Sequence, residues 1–414
     1  MHLDQHAEAE SIKRIHSRKP SFRDRLSEGC DFVETRALRI TPQLRQLSVP
    51  SKFSENLVQS IRNWDFNVFE ILDTSPERPL VFLGYALFSN STLLTDFDIN
   101  EQVLCAFLQE VDEGYPDNPY HNKLHGCDVA QTMYYFINQS NIYSSLEAWQ
   151  RLSAITAALV HDLGHFGYMN PFLLKTNHEL AIRYHYKSPL ESMHLAKAFH
   201  ILAKPKCNFL SSVVQKDVDA IRGLMTEMIL ATDNSAHQTN LTEFQIMVEQ
   251  GAVDMGNEGN VDKVLMMTLH AADISNPAKE WTYYNKWSDL ILDEFQAQGD
   301  YERAKGMPIS PLCDRDKMKT IKDKAFGQMF FIHLLVQPVY EALSEFHDAL
   351  SGSNGPPNNC FIEAMKHIHS NFSKWKDISE TEPIDTVAED LSRISVIVEE
   401  DEGRASSEQE LRTE

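Results

Sequence analysis

The chain has 414 residues, 42% of them hydrophobic and 24% charged, the composition expected of a water-soluble folded protein. Its formal net charge of −22 argues against nucleic acid or an anionic membrane as partner, since both recruit a basic face. There is no transmembrane-length apolar run, and MHLDQHAEAE has no secretory leader pattern, so a cytoplasmic location is expected.

Length alone would allow roughly two to three domains, but the motif positions favour one large domain with tails. Residues 1–55 are polar and are expected to form an unpacked arm. Within it, Lys13, Arg14, Arg18, Lys19, Arg23 and Arg25 surround Ser21. Arg18, three places before Ser21, would suit a basophilic kinase, although a solvated tail is the leading expectation. From Asn63-Trp64-Asp65-Phe66 to Trp375, apolar residues recur at helical spacing, as in VLCAFLQEV (103–111), RLSAITAALV (151–160), VLMMTLHAADI (264–274) and MFFIHLLVQPVYEALSEF (329–346). Clusters such as YPDNP, GNEGN and SGSNGPPNN separate these runs, and alternating strand patterns are nearly absent. The prediction is a compact all-α, multi-helix domain over 56–375, without internal repeats. Residues 376–414 turn strongly acidic and are expected to be largely disordered after at most a short helix. The six cysteines are scattered without a CxxC pair, which points to free thiols in a reducing compartment and assigns none to zinc.

Three segments carry chemistry. In YHNKLHGCDV (120–129), His121 and His125 are four apart and would share one face of a helix. In HDLGHFGYMN (161–170), His161 and Asp162 follow the apolar ITAALV, so a buried helix delivers them, and His165 comes one turn later. Burying a His-Asp pair is costly unless both groups are paired or hold a metal. In LHAADISNP (269–277), Asp273 ends another apolar helix just before Asn276-Pro277, where an unpaired carboxylate would be unstable. His125, His161, Asp162 and Asp273 therefore form a candidate ligand set. Mixed imidazole and carboxylate donors suit zinc or a similar transition metal. Oxygen-rich neighbours and waters suit magnesium or manganese. A carboxylate can bridge two ions, and two-metal sites favour phosphate-ester chemistry. An acidic protein that handles an anionic substrate also needs such a local positive charge.

These segments, with NHELAIRYH, PLESMH, ILATDNSAH, WSDLILDEFQAQGDYERAKGMPISPLCDR and QMFFIHLLVQP, resemble the catalytic domain of class I cyclic nucleotide phosphodiesterases from Asn63 to about Trp375. The resemblance implies an all-helical domain with a deep pocket for two divalent ions, Zn²⁺ and Mg²⁺ (or Mn²⁺), and hydrolysis of cAMP or cGMP to the 5′-monophosphate. It implies that His125, His161, Asp162 and Asp273 are ligands, with Asp162 bridging the ions. A bridging hydroxide would attack phosphorus while His121 protonates the 3′ leaving oxygen. His165, Glu191 and Thr232 match residues that hold metal-bound waters. Gln328 matches the base-reading glutamine, Phe331 and Ile291 the two sides of a purine clamp, and Asn276 and Tyr120 further pocket residues.

Several positions depart from the family pattern. Gly164 replaces an acidic residue, Met193 a histidine, and Asn234 a pocket methionine, while the stretch from Cys313 to Gln328 is about four residues longer. None removes a ligand or the general acid, so altered specificity rather than lost catalysis is expected. The alternatives are another HD-type metal phosphohydrolase and a non-catalytic cyclic nucleotide-binding protein. The first would have no use for Gln328 and Phe331. The second would have no use for His121, His125, His161, Asp162 and Asp273 together. A purely structural zinc domain is less expected still, since such sites favour cysteine-rich coordination.

Overall fold

The structure is a computed structural model that describes residues 59–139, 142–251, 255–351 and 359–380. All of them fall in one compact unit, Ile40–Glu414. The expected all-α architecture is present, with no strand among the described residues. Ser21, the whole of the predicted arm and most of the acidic tail lie outside the described residues.

The longer helices are α1 (Pro79–Asn90), α2 (Glu101–Gly114), α3 (Lys123–Gln139), α4 (Ala148–Val160), α5 (Pro189–Leu202), α6 (Gln215–Leu230), α7 (His237–Glu249), α8 (Glu258–Asp273), α9 (Trp281–Ala304), α10 (Ile321–Phe331), α11 (Gln337–Ser351) and α12 (Phe361–Glu380). Helix α4 lies at the centre, packed on α3 and α6, while α8 packs on α3 and α6 in turn. Its apolar run explains that place: Leu152, Ile155, Ala158 and Leu159 are at most 1% exposed. Glu147 and Gln150 form a reciprocal capping box at its start, so its register is fixed at the end far from His161.

The helix ends that matter are set by local chemistry. Asn122 Oδ1 accepts from the backbone N–H groups of Leu124 and His125, which caps α3 and starts it at Lys123. His121 therefore precedes the helix instead of lying on it, a correction to the expected shared face. After His161 the chain turns through Gly164 at φ +81° and Gly167 at φ +80°, so His165 is not on a continuation of α4 either. Helix α8 stops at Asp273, and Asn276–Ala278 form a short 3-10 turn with Pro277 inside it.

The run 329–346, read from sequence as one helical segment, is interrupted by a π turn at Ile332–Val336 between α10 and α11. Pro338 gives the reason. It has no N–H, and in an unbroken α-helix its ring would press on the Leu334 carbonyl. Helix α12 packs on α10 and runs to Glu380, beyond the change to acidic composition.

Two buried residues hold the Asn276–Ala278 turn from outside. The Trp64 indole donates to the Ala278 carbonyl at 2.8 Å. The Asn371 amide, 1% exposed, donates to the carbonyls of Pro277 at 2.9 Å and Lys279 at 2.8 Å. Replacing Asn371 by Ala leaves two buried carbonyls unpaired and should cost about 1–3 kcal/mol. Urea unfolding of wild type and Asn371→Ala measures this, and an unchanged midpoint would show that the turn does not depend on Asn371.

Candidate active site

Helices α3, α4 and α8 bring four of the predicted residues to one point. His125 Nε2 lies 3.2 Å from His161 Nε2, 3.1 Å from Asp273 Oδ1 and 3.4 Å from Asp162 Oδ2. His161 Nε2 is 3.3 Å from Asp162 Oδ2 and 3.3 Å from Asp273 Oδ1. The His161 ring donates from Nδ1 to the Ala158 carbonyl at 3.0 Å, so its neutral form turns a bare Nε2 lone pair toward the other three groups. Two carboxylates meet two imidazoles that are 0% exposed; burial works to lower the His161 pKa, but Asp162 and Asp273 override it and hold it well above the ordinary histidine value. A divalent cation can take the place of that proton, and the two-imidazole, two-carboxylate donor set fits zinc-type coordination.

A second meeting of acceptors lies on the other side of Asp162. His194 donates from Nδ1 to the Leu163 carbonyl at 2.9 Å, so its Nε2, 3.5 Å from Asp162 Oδ1, is a lone pair with no hydrogen-bond partner. Glu191 is nearby and buried, its carboxylate taking two hydrogen bonds from the Asn170 amide at 3.1 and 2.9 Å. Burial, with Asp233 adding to it, pushes the Glu191 pKa up to about 8. Thr232 is buried and gives its hydroxyl proton to the Ile229 carbonyl at 2.7 Å, which leaves its oxygen as an acceptor. This neighbourhood offers carboxylate and hydroxyl oxygens, the donors a harder divalent ion takes, and such an ion would favour the ionised form of Glu191.

His121 and His165 belong together rather than to the ligand group. Their rings stack with centroids 4.0 Å apart, and both face Glu294. Glu294 Oε1 is 2.5 Å from His121 Nδ1, and Oε2 accepts the backbone N–H groups of Tyr120 at 3.0 Å and His121 at 3.1 Å. His165 Nδ1 accepts from the Gly167 N–H at 3.1 Å. Burial works to lower the His121 pKa, but the Glu294 carboxylate overrides it and holds the value up at about 9. Burial likewise opposes ionisation of Glu294, and the charged His121 outweighs it, holding the carboxyl down at about 2. Burial and the neighbouring His121 charge push His165 well below the ordinary histidine value. At neutral pH the pair is thus one imidazolium and one neutral ring.

Glu294 was not singled out from sequence. It lies seven residues after Trp287 and three after Ile291 on α9, on the helix face that includes the fully buried Trp287. A glutamate in that stripe is the signal that could have found it.

The remaining predicted residues lie on α9, α10, the 3-10 turn and, for Tyr120, the loop before α3. Gln328 and Phe331 are half-buried near the end of α10, and Ile291 is half-buried on α9. Gln328 Oε1 accepts from the Tyr284 hydroxyl at 2.7 Å. The Trp375 indole, a donor only, gives its N–H to the same hydroxyl oxygen at 3.0 Å, which leaves the Tyr284 proton for Gln328. Tyr120 and Asn276 are buried, and the Tyr120 hydroxyl donates to Asn276 Oδ1 at 2.6 Å.

The departures from the family pattern have local explanations. A side chain on Gly164 would place its Cβ 2.0 Å from Lys197 Nζ, so glycine and Lys197 occupy this space jointly. Met193 packs in an apolar cluster with Phe172, Leu173, Ala181 and Leu190. Asn234 opens a 3-10 turn and is exposed. Before Gln328 the chain makes a turn on the Asp314 carbonyl, and the Thr320–Asp323 capping box starts α10.

A family profile described as 3′5′-cyclic nucleotide phosphodiesterase matches residues 120–353. The chain is 35% identical over 297 residues, 70% of its length, to a Caenorhabditis elegans protein named "Probable 3′,5′-cyclic-AMP phosphodiesterase pde-4". It is 34% identical over 322 residues, 77% of its length, to the human dual specificity calcium/calmodulin-dependent 3′,5′-cyclic nucleotide phosphodiesterase 1C. These matches span 43% and 44% of the two relatives. Among solved structures, the phosphodiesterase domain of the RhoPDE fusion protein from the choanoflagellate Salpingoeca rosetta superposes with a TM-score of 0.71 at 29% identity, covering 79% of this chain and 98% of that one.

The His121–Glu294 pair makes a direct prediction. By imidazole NMR, His121 should stay protonated up to about pH 9 in wild type. In Glu294→Gln the two largest raising effects are lost and only the charges of Asp162 and Asp273 still oppose burial, so the titration should move down. A midpoint unmoved by the substitution would show that Glu294 does not set the charge of His121.

Proposed function

Because the chain belongs to the 3′,5′-cyclic nucleotide phosphodiesterase family, we propose that it hydrolyses cAMP, alone or together with cGMP, to the nucleoside 5′-monophosphate. The observation that carries this reading is His121, paired through Nδ1 with Glu294, beside the converging donor atoms of His125, His161, Asp162 and Asp273. His125, His161, Asp162 and Asp273 would hold the divalent ions, zinc together with magnesium or manganese. His165, Glu191 and Thr232 would order the solvent around that second ion. When bound, the ions neutralise the phosphate and make the attacking water more acidic.

The protein's own groups do the rest. His121 has one N–H engaged by Glu294 and keeps the proton on Nε2 for the 3′ oxygen as the P–O3′ bond breaks. Glu294 stabilises the imidazolium before transfer and fixes the ring orientation, as a carboxylate paired to a catalytic histidine does. Phe331 and Ile291 would flank the purine while Gln328 reads its edge. With Oε1 tied to Tyr284, Gln328 offers its NH₂ group outward, which favours one donor–acceptor pattern on the base. The catalytic domain then corresponds to about 56–375, in a cytoplasmic protein with a polar N-terminal arm and an acidic C-terminal tail.

Hydrolysis of cAMP and cGMP side by side, with Mg²⁺ and then with EDTA, tests the activity. The 5′-monophosphate should appear only with metal, and Asp273→Ala should lower the rate about 100-fold or more. A folded, metal-loaded protein that turns over neither nucleotide would move the function to another phosphate ester or to binding alone.

Base selectivity has its own test. Tyr284→Phe frees the Gln328 amide to rotate, so the ratio of kcat/KM for cAMP and cGMP should shift about 3- to 10-fold, the scale of one neutral hydrogen bond. An unchanged ratio would separate Tyr284 from base choice.

A further inference from the structure

Behind the pocket wall lies a buried carboxylate that neither the metal centre nor the proton donor uses. Asp128 is one turn beyond His125 on α3 and is 3% exposed. Its Oδ2 accepts from the Asn276 amide nitrogen at 3.3 Å, and it also receives a hydrogen bond from the Trp287 indole. Lys279, 2% exposed, supplies a positive charge to the same layer but forms no ion pair with it. The Lys279 ammonium instead donates to Thr132 Oγ1 at 2.9 Å and sits 4.0 Å from the Trp64 ring centroid. The polar contacts of Asp128 are therefore directed at the pocket wall rather than at a structural salt bridge.

We infer that Asp128 is a positioning residue that sets the donor–acceptor polarity of the pocket wall through Asn276 and Tyr120. Burial pushes the Asp128 pKa up and the Lys279 charge opposes this; the carboxylate form can only accept, so it draws the NH₂ end of Asn276 inward. The amide oxygen then faces Tyr120 and takes its hydroxyl proton at 2.6 Å. The Tyr120 oxygen is thereby left as an acceptor, on a ring whose centroid is 4.7 Å from that of the ligand candidate His125. Without the carboxylate the Asn276 amide can turn over. Tyr120 would then accept from Asn276 and point its proton at the substrate, reversing the pattern the substrate meets.

Because the inference rests on the proposed hydrolysis only for its kinetic readout, two measurements on the full-length, metal-loaded protein decide it. In a double-mutant cycle, Asp128→Asn should raise KM for the preferred cyclic nucleotide about 10-fold with kcat changed less than about 3-fold. Tyr120→Phe should cost about 5-fold in KM alone and less than about 2-fold in the Asp128→Asn background, because the two act through one path. Effects that simply multiply would overturn the inference. If Asp128→Asn does not fold, Asn276→Ala with Tyr120→Phe runs the same cycle with the same expected result.

The second measurement needs no substrate. In protein labelled at tyrosine Cζ with ¹³C, the Tyr120 resonance, identified by its loss in Tyr120→Phe, should move in Asp128→Asn or Asn276→Ala. A resonance that stays in place would refute the relay. Should the wild type turn over neither nucleotide, the hydrolysis assignment fails and this resonance still decides the role of Asp128.

Discussion

Four donor side chains share one space closed to water, and holding them there is the constraint this protein is built around. His125, His161, Asp162 and Asp273 bring imidazole nitrogens and carboxylate oxygens within 3.1 to 3.4 Å of one another, with both rings sealed from water. Side chains free to move would each turn to water instead. They cannot, because the elements that carry them are fixed elsewhere: the α4 register by its distant cap, the start of α3 by Asn122, and the turn after α8 by Trp64 and Asn371. The fold thus holds the four donors together for a cation, which is why metal binding and stability are expected to be linked.

Beside that centre one carboxylate decides where a proton resides. Burial works against a charged histidine, yet Glu294, 2.5 Å away and also anchored by two backbone N–H groups, reverses the outcome for His121. The stacked His165 has no equivalent partner, since its Nδ1 takes an N–H from Gly167, and it stays neutral. Two chemically identical rings 4.0 Å apart are given opposite protonation by what each one touches.

What could be read from the sequence follows from where a polar residue is costly. His161, Asp162 and Asp273 stand out because each ends a run that must be buried, and the all-α fold follows from the same runs. The placements of His121 and His165 did not follow from their i, i+4 spacing, because Asn122 caps the helix after His121 and Gly164 turns the chain before His165. Even so, both histidines reach the site. Glu294 was hidden in a polar-looking stretch, DEFQ, where only its phase with Trp287 marks it. The Gln328–Tyr284–Trp375 chain joins three helices distant in sequence, and no local pattern encodes such a contact.

The π turn at Ile332–Val336 uncouples two demands on a single stretch of chain. One residue of insertion rotates everything after it by about 100° relative to what precedes it. Helix α10 can therefore aim Gln328 and Phe331 by one phase, while α11 buries Val339, Tyr340, Leu343 and Phe346 by another. The turn behaves as a clutch between recognition and packing, and the recognition end can drift in sequence without dragging the core stripe out of alignment.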